Sequence, residues 1–213
     1  MASRCEPHCH RLSVPSVHSP TLLIVAAILA ALVTGVLSAV WLFNRRIPGL
    51  RFWAQALFCA TVFCINLLLR DHVPLPLSVV LAQSSVALAA YLCLLGAREY
   101  MGRAPLGHGV ALLALALLLG TALFFTLVKP NVQVRIALTG LVPGVLFIAA
   151  AHTLARGGFH KVPARYLFAA TVGVHGAFLL VRPLLFKLAA PADGAQPETG
   201  MVAALSQFVV LES

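Results

Sequence analysis

Apolar residues run along this chain in long unbroken tracts separated by short polar and basic turns, with no alternation at every second position. A helix needs about 20 apolar residues to cross a hydrocarbon core of roughly 30 Å. Six tracts reach that length, at 20–43, 52–69, 77–96, 109–128, 136–155 and 166–187. A seventh begins at 201 and runs only to 213, so the chain is expected to end inside a helix. Leu and Ala dominate the tracts, which favours helices over the strands of a closed barrel. The expected fold class is therefore all-α: a polytopic transmembrane helical bundle with six full spans and the start of a seventh.

The linkers 44–51, 70–76, 97–108, 129–135 and 156–165 are short, so successive helices should run antiparallel as neighbours. One transmembrane domain over 20–213 follows, behind a leader over 1–19 that is expected to be disordered and outside the cytoplasm. The first tract is read as a retained anchor, because it is longer than the apolar region of a signal peptide and Asn44-Arg45-Arg46 follows it as a stop-transfer flank.

Composition sharpens the picture. With 61% hydrophobic residues, 10% charged residues and a mean hydropathy of +0.97, the chain lacks the polar surface of an aqueous domain. A net charge of +9 would suggest nucleic acid in a soluble protein; here the cations sit in the turns, so the predicted partner is the lipid bilayer and not nucleic acid. The first, third and fifth linkers hold Arg45, Arg46, Arg51, Arg98, Arg103, Arg156, Lys161 and Arg165, opposed by Glu99 alone. Arg4, Arg11, Arg70, Lys129, Arg135, Arg182 and Lys187 belong to the other side. The bias within short linkers predicts an amino terminus outside, and Trp41, Trp53, Tyr100 and Tyr166 all fall at the same predicted cytoplasmic interface.

Polar residues within the tracts are the candidates for function, since hydrocarbon penalises a polar side chain that lacks a partner. Gln55 and Asn66 lie on the second tract, Gln83, Ser84 and Ser85 on the third, Thr139 and His152 on the fifth, and Thr171, His175 and Arg182 on the sixth. Asn66 and Gln83 are placed to meet across the turn between their helices, either as a ligand-binding pair or as interhelical hydrogen bonding. His175 and Arg182, two helical turns apart on one face, form the leading candidate site for an unidentified small ligand. The alternative is that Arg182 snorkels to the interface while His175 bonds a neighbouring helix. Haem ligation by His152 and His175 is disfavoured, because their depths differ by roughly 9 Å at 1.5 Å per residue.

Small residues recur at every fourth position at Ala27, Ala31, Gly35 and Ala39, and again at Gly140 and Gly144, marking helix-packing candidates and a possible homodimer contact. Pro143 kinks or hinges the fifth helix. Cys5, His8, Cys9 and His10 have the ligand types of a zinc or copper site, but their spacing fits no closed metal pattern and no metal is expected. Cys59, Cys64 and Cys93 read as apolar packing residues. The six acids are scattered, and nucleophile-elbow, zinc-protease, phosphate-loop and dinucleotide motifs are missing, so no catalytic residues, no cofactor and no enzymatic activity are expected of this chain.

Two segments carry a resemblance. Asn44-Arg45-Arg46-Ile47-Pro48-Gly49-Leu50-Arg51-Phe52-Trp53-Ala54 and Arg98-Glu99-Tyr100-Met101-Gly102-Arg103 resemble linkers in the multi-span sensory regions of bacterial diguanylate cyclases, and Phe208-Val209-Val210-Leu211-Glu212-Ser213 is similar to the start of their last span. The resemblance implies a bacterial inner-membrane module that regulates a cytoplasmic GGDEF domain producing cyclic di-GMP. It departs from that pattern in having Gln83 where an Asn is expected, and no Gly-Gly-Asp-Glu-Phe signature occurs. A small carrier or channel is the alternative function.

Overall fold

The computed structural model describes residues 19–104, 106–128, 132–156 and 163–189. Among them it is all-helical: α1 (Ser19–Phe43), α2 (Leu50–Leu68), α3 (Leu75–Tyr100), α4 (His108–Leu127), α5 (Val132–Ala155) and α6 (Pro163–Ala189), with a 3-10 turn at Arg70–His72. Four stretches are long and apolar enough to cross a membrane, Leu23–Phe43, Leu50–Leu68, Leu75–Tyr100 and Pro163–Leu185, which marks the chain as a membrane protein. α4 and α5 hold the shorter apolar stretches Ala111–Leu127 and Thr139–Ala155. The seventh tract at 201–213 and the leader lie outside the described residues.

α3 is the centre of the bundle. It packs against α2, α4 and α5, while α1 flanks α2 on one edge and α6 flanks α5 on the other. Packed on three neighbours, α3 buries Ala87, Ala90, Cys93, Leu94 and Ala97, while Leu77, Leu81 and Leu88 stay exposed. Ala150 and Leu154 of α5 and Ala169 and Val172 of α6 complete the core with Cys93, Leu94 and Ala97. The outer helices keep their apolar side chains facing outward; Leu32 and Val36 are 60% and 61% exposed, which hydrocarbon tolerates and water does not.

The third helix runs one turn further than its apolar tract. Ala97, expected in the linker, is fully buried, and Arg98, Glu99 and Tyr100 continue the helix. Gly102 then ends it at φ +65°: the Gly102 amide donates to the Glu99 carbonyl at 3.0 Å and the Arg103 amide to the Arg98 carbonyl at 2.8 Å. That pairing is a Schellman stop, for which glycine is the favoured residue.

Glycine governs the α5–α6 contact. A Cβ on Gly140 would lie 2.7 Å from the Leu179 carbonyl oxygen, and one on Gly144 would lie 2.9 Å from the Leu180 side chain and 3.2 Å from the Gly176 carbonyl oxygen. Gly176 faces back, with a Cβ there 3.0 Å from the Gly144 carbonyl oxygen. The adjacent Pro143 is fully buried. It forgoes one backbone hydrogen bond at the place where the two helices come closest, and α5 continues through it to Ala155.

The small-residue stripe on α1 is different. Its partly buried side runs through Leu23, Ala27, Ala30, Thr34, Leu37 and Trp41, whereas Ala31 and Gly35 are exposed and nothing lies within 4 Å of a Cβ on Gly35. Every fourth residue of a helix drifts around the axis, since four residues overshoot one turn of about 3.6, so a strict four-residue repeat leaves the contact face. Of the four small residues of that repeat, Ala27 and Ala39 are partly buried and Ala31 and Gly35 are exposed.

Replacing Gly176 by Val should therefore cost about 1–3 kcal/mol through overpacking against α5. Gly35→Ala should leave stability unchanged or raise it by about 0.5–1 kcal/mol through helix propensity. Unfolding in mild detergent followed by circular dichroism checks both.

Candidate functional site

One end of the bundle gathers charged and aromatic side chains. The start of α2, the end of α3 and the start of α6 meet there because antiparallel connection returns them to the same level. Gly49 caps α2 in the left-handed region at φ +80°, and a Cβ on it would strike the Gly96 carbonyl oxygen. Glycine is thus required twice, by conformation and by contact. Gly96 in turn lies under the Trp53 indole, with a Cβ there 2.5 Å from Nε1 and 2.6 Å from Cδ1.

Trp53 joins the elements at this end. Its ring centroid is 5.6 Å from that of Tyr100 on α3 and 5.1 Å from that of Phe168 on α6, both in tilted geometry. Beside it the Arg51 Nη2 donates to Glu99 Oε1 at 3.2 Å, the ion pair between α2 and α3. Arginines lie over neighbouring rings: Arg51 4.6 Å from the Phe52 centroid, Arg165 4.8 Å from Tyr166, and Arg45 5.8 Å from Trp41. Arg165 is the most enclosed of these cations at 7% exposure; its Nη2 donates to the Tyr166 hydroxyl at 2.9 Å, and its Nε is buried without a partner. Trp53 Nε1 and Glu99 Oε2 share that condition.

The four ligand candidates do not form one site. Asn66 is buried between α2 and α3, where its Nδ2 donates to the Ser78 carbonyl at 3.0 Å. It does not engage Gln83, because the turn centred near His72 brings residue 66 level with residue 78 and leaves Gln83 five residues deeper, about 7.5 Å along the helix. Gln83 is half-buried on α3. His175 and Arg182 are on α6, which packs on α5 and away from Asn66 and Gln83. The His175 ring meets the Phe147 ring edge to face at 5.0 Å. Arg182, two turns further along α6, is half-buried.

Hydroxyls in the helices are satisfied mainly at home. Thr121, Thr126, Thr153 and Thr171 each donate to a carbonyl four residues back. The exception escaped the sequence reading: Thr34 of α1 and Thr61 of α2 approach at 3.2 Å between hydroxyl oxygens. Each can also donate to its own helix, at the Ala30 and Leu57 carbonyls, so one hydroxyl bridges the helices while the other bonds locally. The register signal was available only approximately, since the distances of 34 and 61 from the middle of the 44–49 turn differ by about two residues.

Recesses open between helices among the described residues. One, about 380 Å3, lies between α5 and α6 at the basic end and is lined by His152 and Tyr166 among alanines. Another, about 550 Å3, lies between α3, α4 and α5 and is almost wholly apolar. Among the described residues no group of three or more His, Cys, Asp or Glu could hold a metal, and Cys5, His8, Cys9 and His10 lie outside them.

The geometry at Trp53 yields a test. With Trp41→Phe as background, Gly96→Ala should displace the indole, shift its fluorescence emission and cost about 1–3 kcal/mol. Glu99→Gln, which removes a partly exposed ion pair, should cost less than about 1 kcal/mol and leave the emission in place. No protein family, curated protein or solved structure matches this chain, so a functional reading rests on its own residues and geometry.

Proposed function

We propose that this chain is a membrane-embedded sensory and anchoring module that regulates a cytoplasmic diguanylate cyclase by helix rearrangement. In this reading all six helices span the bacterial inner membrane, the tract at 201–213 begins a seventh span, and the amino terminus is extracytoplasmic. The observation that supports it is the junction at the basic end. The two segments that resemble sensory-region linkers, 44–54 and 98–103, are far apart in sequence yet meet there through Arg51 and Glu99 and through Trp53 and Tyr100, next to the contact of Gly49 with Gly96. A change in helix packing elsewhere in the bundle would be felt at that junction, which faces the compartment where a GGDEF domain would act.

Signal transmission requires a ligand that interacts differently with two packings of the bundle. His175 and Arg182 supply polar groups on α6, an edge helix held mainly by its close approach to α5. A shift of α6 would be carried to α3, because Ala169 and Val172 of α6 share one core cluster with Cys93, Leu94 and Ala97 of α3.

A small carrier or channel remains the second reading, favoured by the number of polar residues in the helices. Those residues are spread over the α1–α2 and α2–α3 contacts, α5 and α6.

In a full-length product carrying the cyclase, Arg182→Ala should abolish signal-dependent change in cyclic di-GMP while leaving membrane insertion intact. An unchanged response would remove that site. Flux measured in proteoliposomes would favour the carrier, and reading frame beyond Ser213 without a GGDEF region would remove the regulatory assignment.

A further inference from the structure

The apolar recess between α3, α4 and α5 has a shape that lipid chemistry explains. It exists because the helices facing it carry small residues where bulky ones would close it, with Ala87 on α3 and Gly107, Ala111 and Ala114 on α4. Its volume of about 550 Å3 is within the ordinary range for ligand pockets, roughly 300–1,000 Å3. The lining on α4 runs from Gly107 to Leu115, about 12 Å at 1.5 Å per residue, close to the hydrocarbon depth of a single leaflet, half of roughly 30 Å.

One mouth of this recess lies at the basic end. Leu106 and Gly107 form its rim, just beyond the loop that the Schellman stop at Gly102 and the 2.8 Å bond from Arg98 Nε to the Ala104 carbonyl hold in place. Arg103 projects from that loop, exposed. Gly107 caps α4 with no side chain to bond the first amides of the helix, so positive charge and backbone donors face the level at which head groups lie. An apolar slot about one leaflet deep, with a cation on the loop at its mouth, complements the chain and head group of an anionic amphiphile.

We infer that this recess binds an anionic phospholipid of the leaflet at the basic end, with one acyl chain in the α3–α4–α5 slot and its phosphate at the rim beside Arg103. The inference rests on the membrane-spanning reading of α4 and α5 given above. It makes α4, which packs between α3 and α5 over this slot, a helix whose seating depends on lipid charge. It would thus add lipid composition to the influences on the bundle.

The test uses the full chain extracted in mild non-ionic detergent and native mass spectrometry with added phosphatidylglycerol or phosphatidylcholine. Wild type should retain one phosphatidylglycerol at lower concentration than phosphatidylcholine, by about tenfold or more. Ala111→Trp should fill the slot and lose the adduct, and Arg103→Gln, on the exposed loop, should abolish the preference for the anionic lipid while preserving the thermal transition. Retention of the adduct by both Ala111→Trp and Ala114→Trp would overturn the slot, and equal binding of the two lipids by wild type would overturn the charged rim. Loss of a dimeric mass on Ala111→Trp with no lipid adduct in wild type would assign the slot to a second copy of the chain and overturn the proposal. Reporter fusions to successive turns separate the two levels: alternating sides without a retained lipid defeat the lipid site alone, whereas failure to alternate defeats the spanning reading beneath it.

Discussion

Helices in hydrocarbon gain nothing by turning apolar surface away from their surroundings, because lipid tails are as apolar as leucine. What holds such helices together is close van der Waals contact, and its strength depends on how nearly the backbones approach. That constraint explains the distribution of glycine here. Gly144 and Gly176 let α5 and α6 touch backbone to backbone, and Gly49 and Gly96 do the same where the start of α2 crosses the end of α3. Between these contacts the side chains are ordinary Leu, Val and Ala, and the outward faces of α1 and α6 need only be greasy.

Polar groups obey the complementary rule. A hydroxyl in a span can donate to the carbonyl one turn back, and most threonines here do so, which makes them inexpensive and uninformative. Asn66 cannot satisfy itself in this way. Its amide reaches the Ser78 carbonyl on α3, and its Oδ1 stays buried and unpaired, so the α2–α3 contact carries a polar cost that local packing must offset. The basic end handles its charges differently: Arg51 pairs with Glu99, and the guanidinium groups of Arg45, Arg51 and Arg165 lie over aromatic rings.

Helix positions were legible because the apolar tracts leave few alternatives; every tract from 20–43 to 166–187 coincides with a helix to within a few residues. The end of α3 was misplaced because hydropathy falls at Arg98 and Glu99, both good helix formers, while the real terminator, Gly102, acts through backbone conformation. On α1 the four-residue spacing of Ala27, Ala31 and Gly35 imitates a packing motif, and composition alone does not reveal that the contact face follows a period of about 3.6 instead. Gly49 and Gly96 were invisible as a pair: their relation depends on the register between α2 and α3, which the sequence encodes only through the length of the turn.

That register can be read from the turn itself. In an antiparallel pair joined by a short connection, residues equidistant from its midpoint lie at one depth. Around His72 this places Asn66 opposite Ser78 and, at the far end, Gly49 near Gly96; around the 44–49 turn it brings Thr34 within about two residues of the level of Thr61, which it meets. The same rule puts Gln83 at the level of Thr61, so Gln83 belongs with the Thr34–Thr61 bridge in depth and not with Asn66. Polar groups on α1, α2 and α3 therefore occupy two layers, each at a helix contact, whereas His175 stands apart on α6 beside an aromatic ring. The α5–α6 contact is built instead on the close approach of backbones at Gly140, Gly144 and Gly176, so the two sides of the bundle show two different means of fixing one helix against the next.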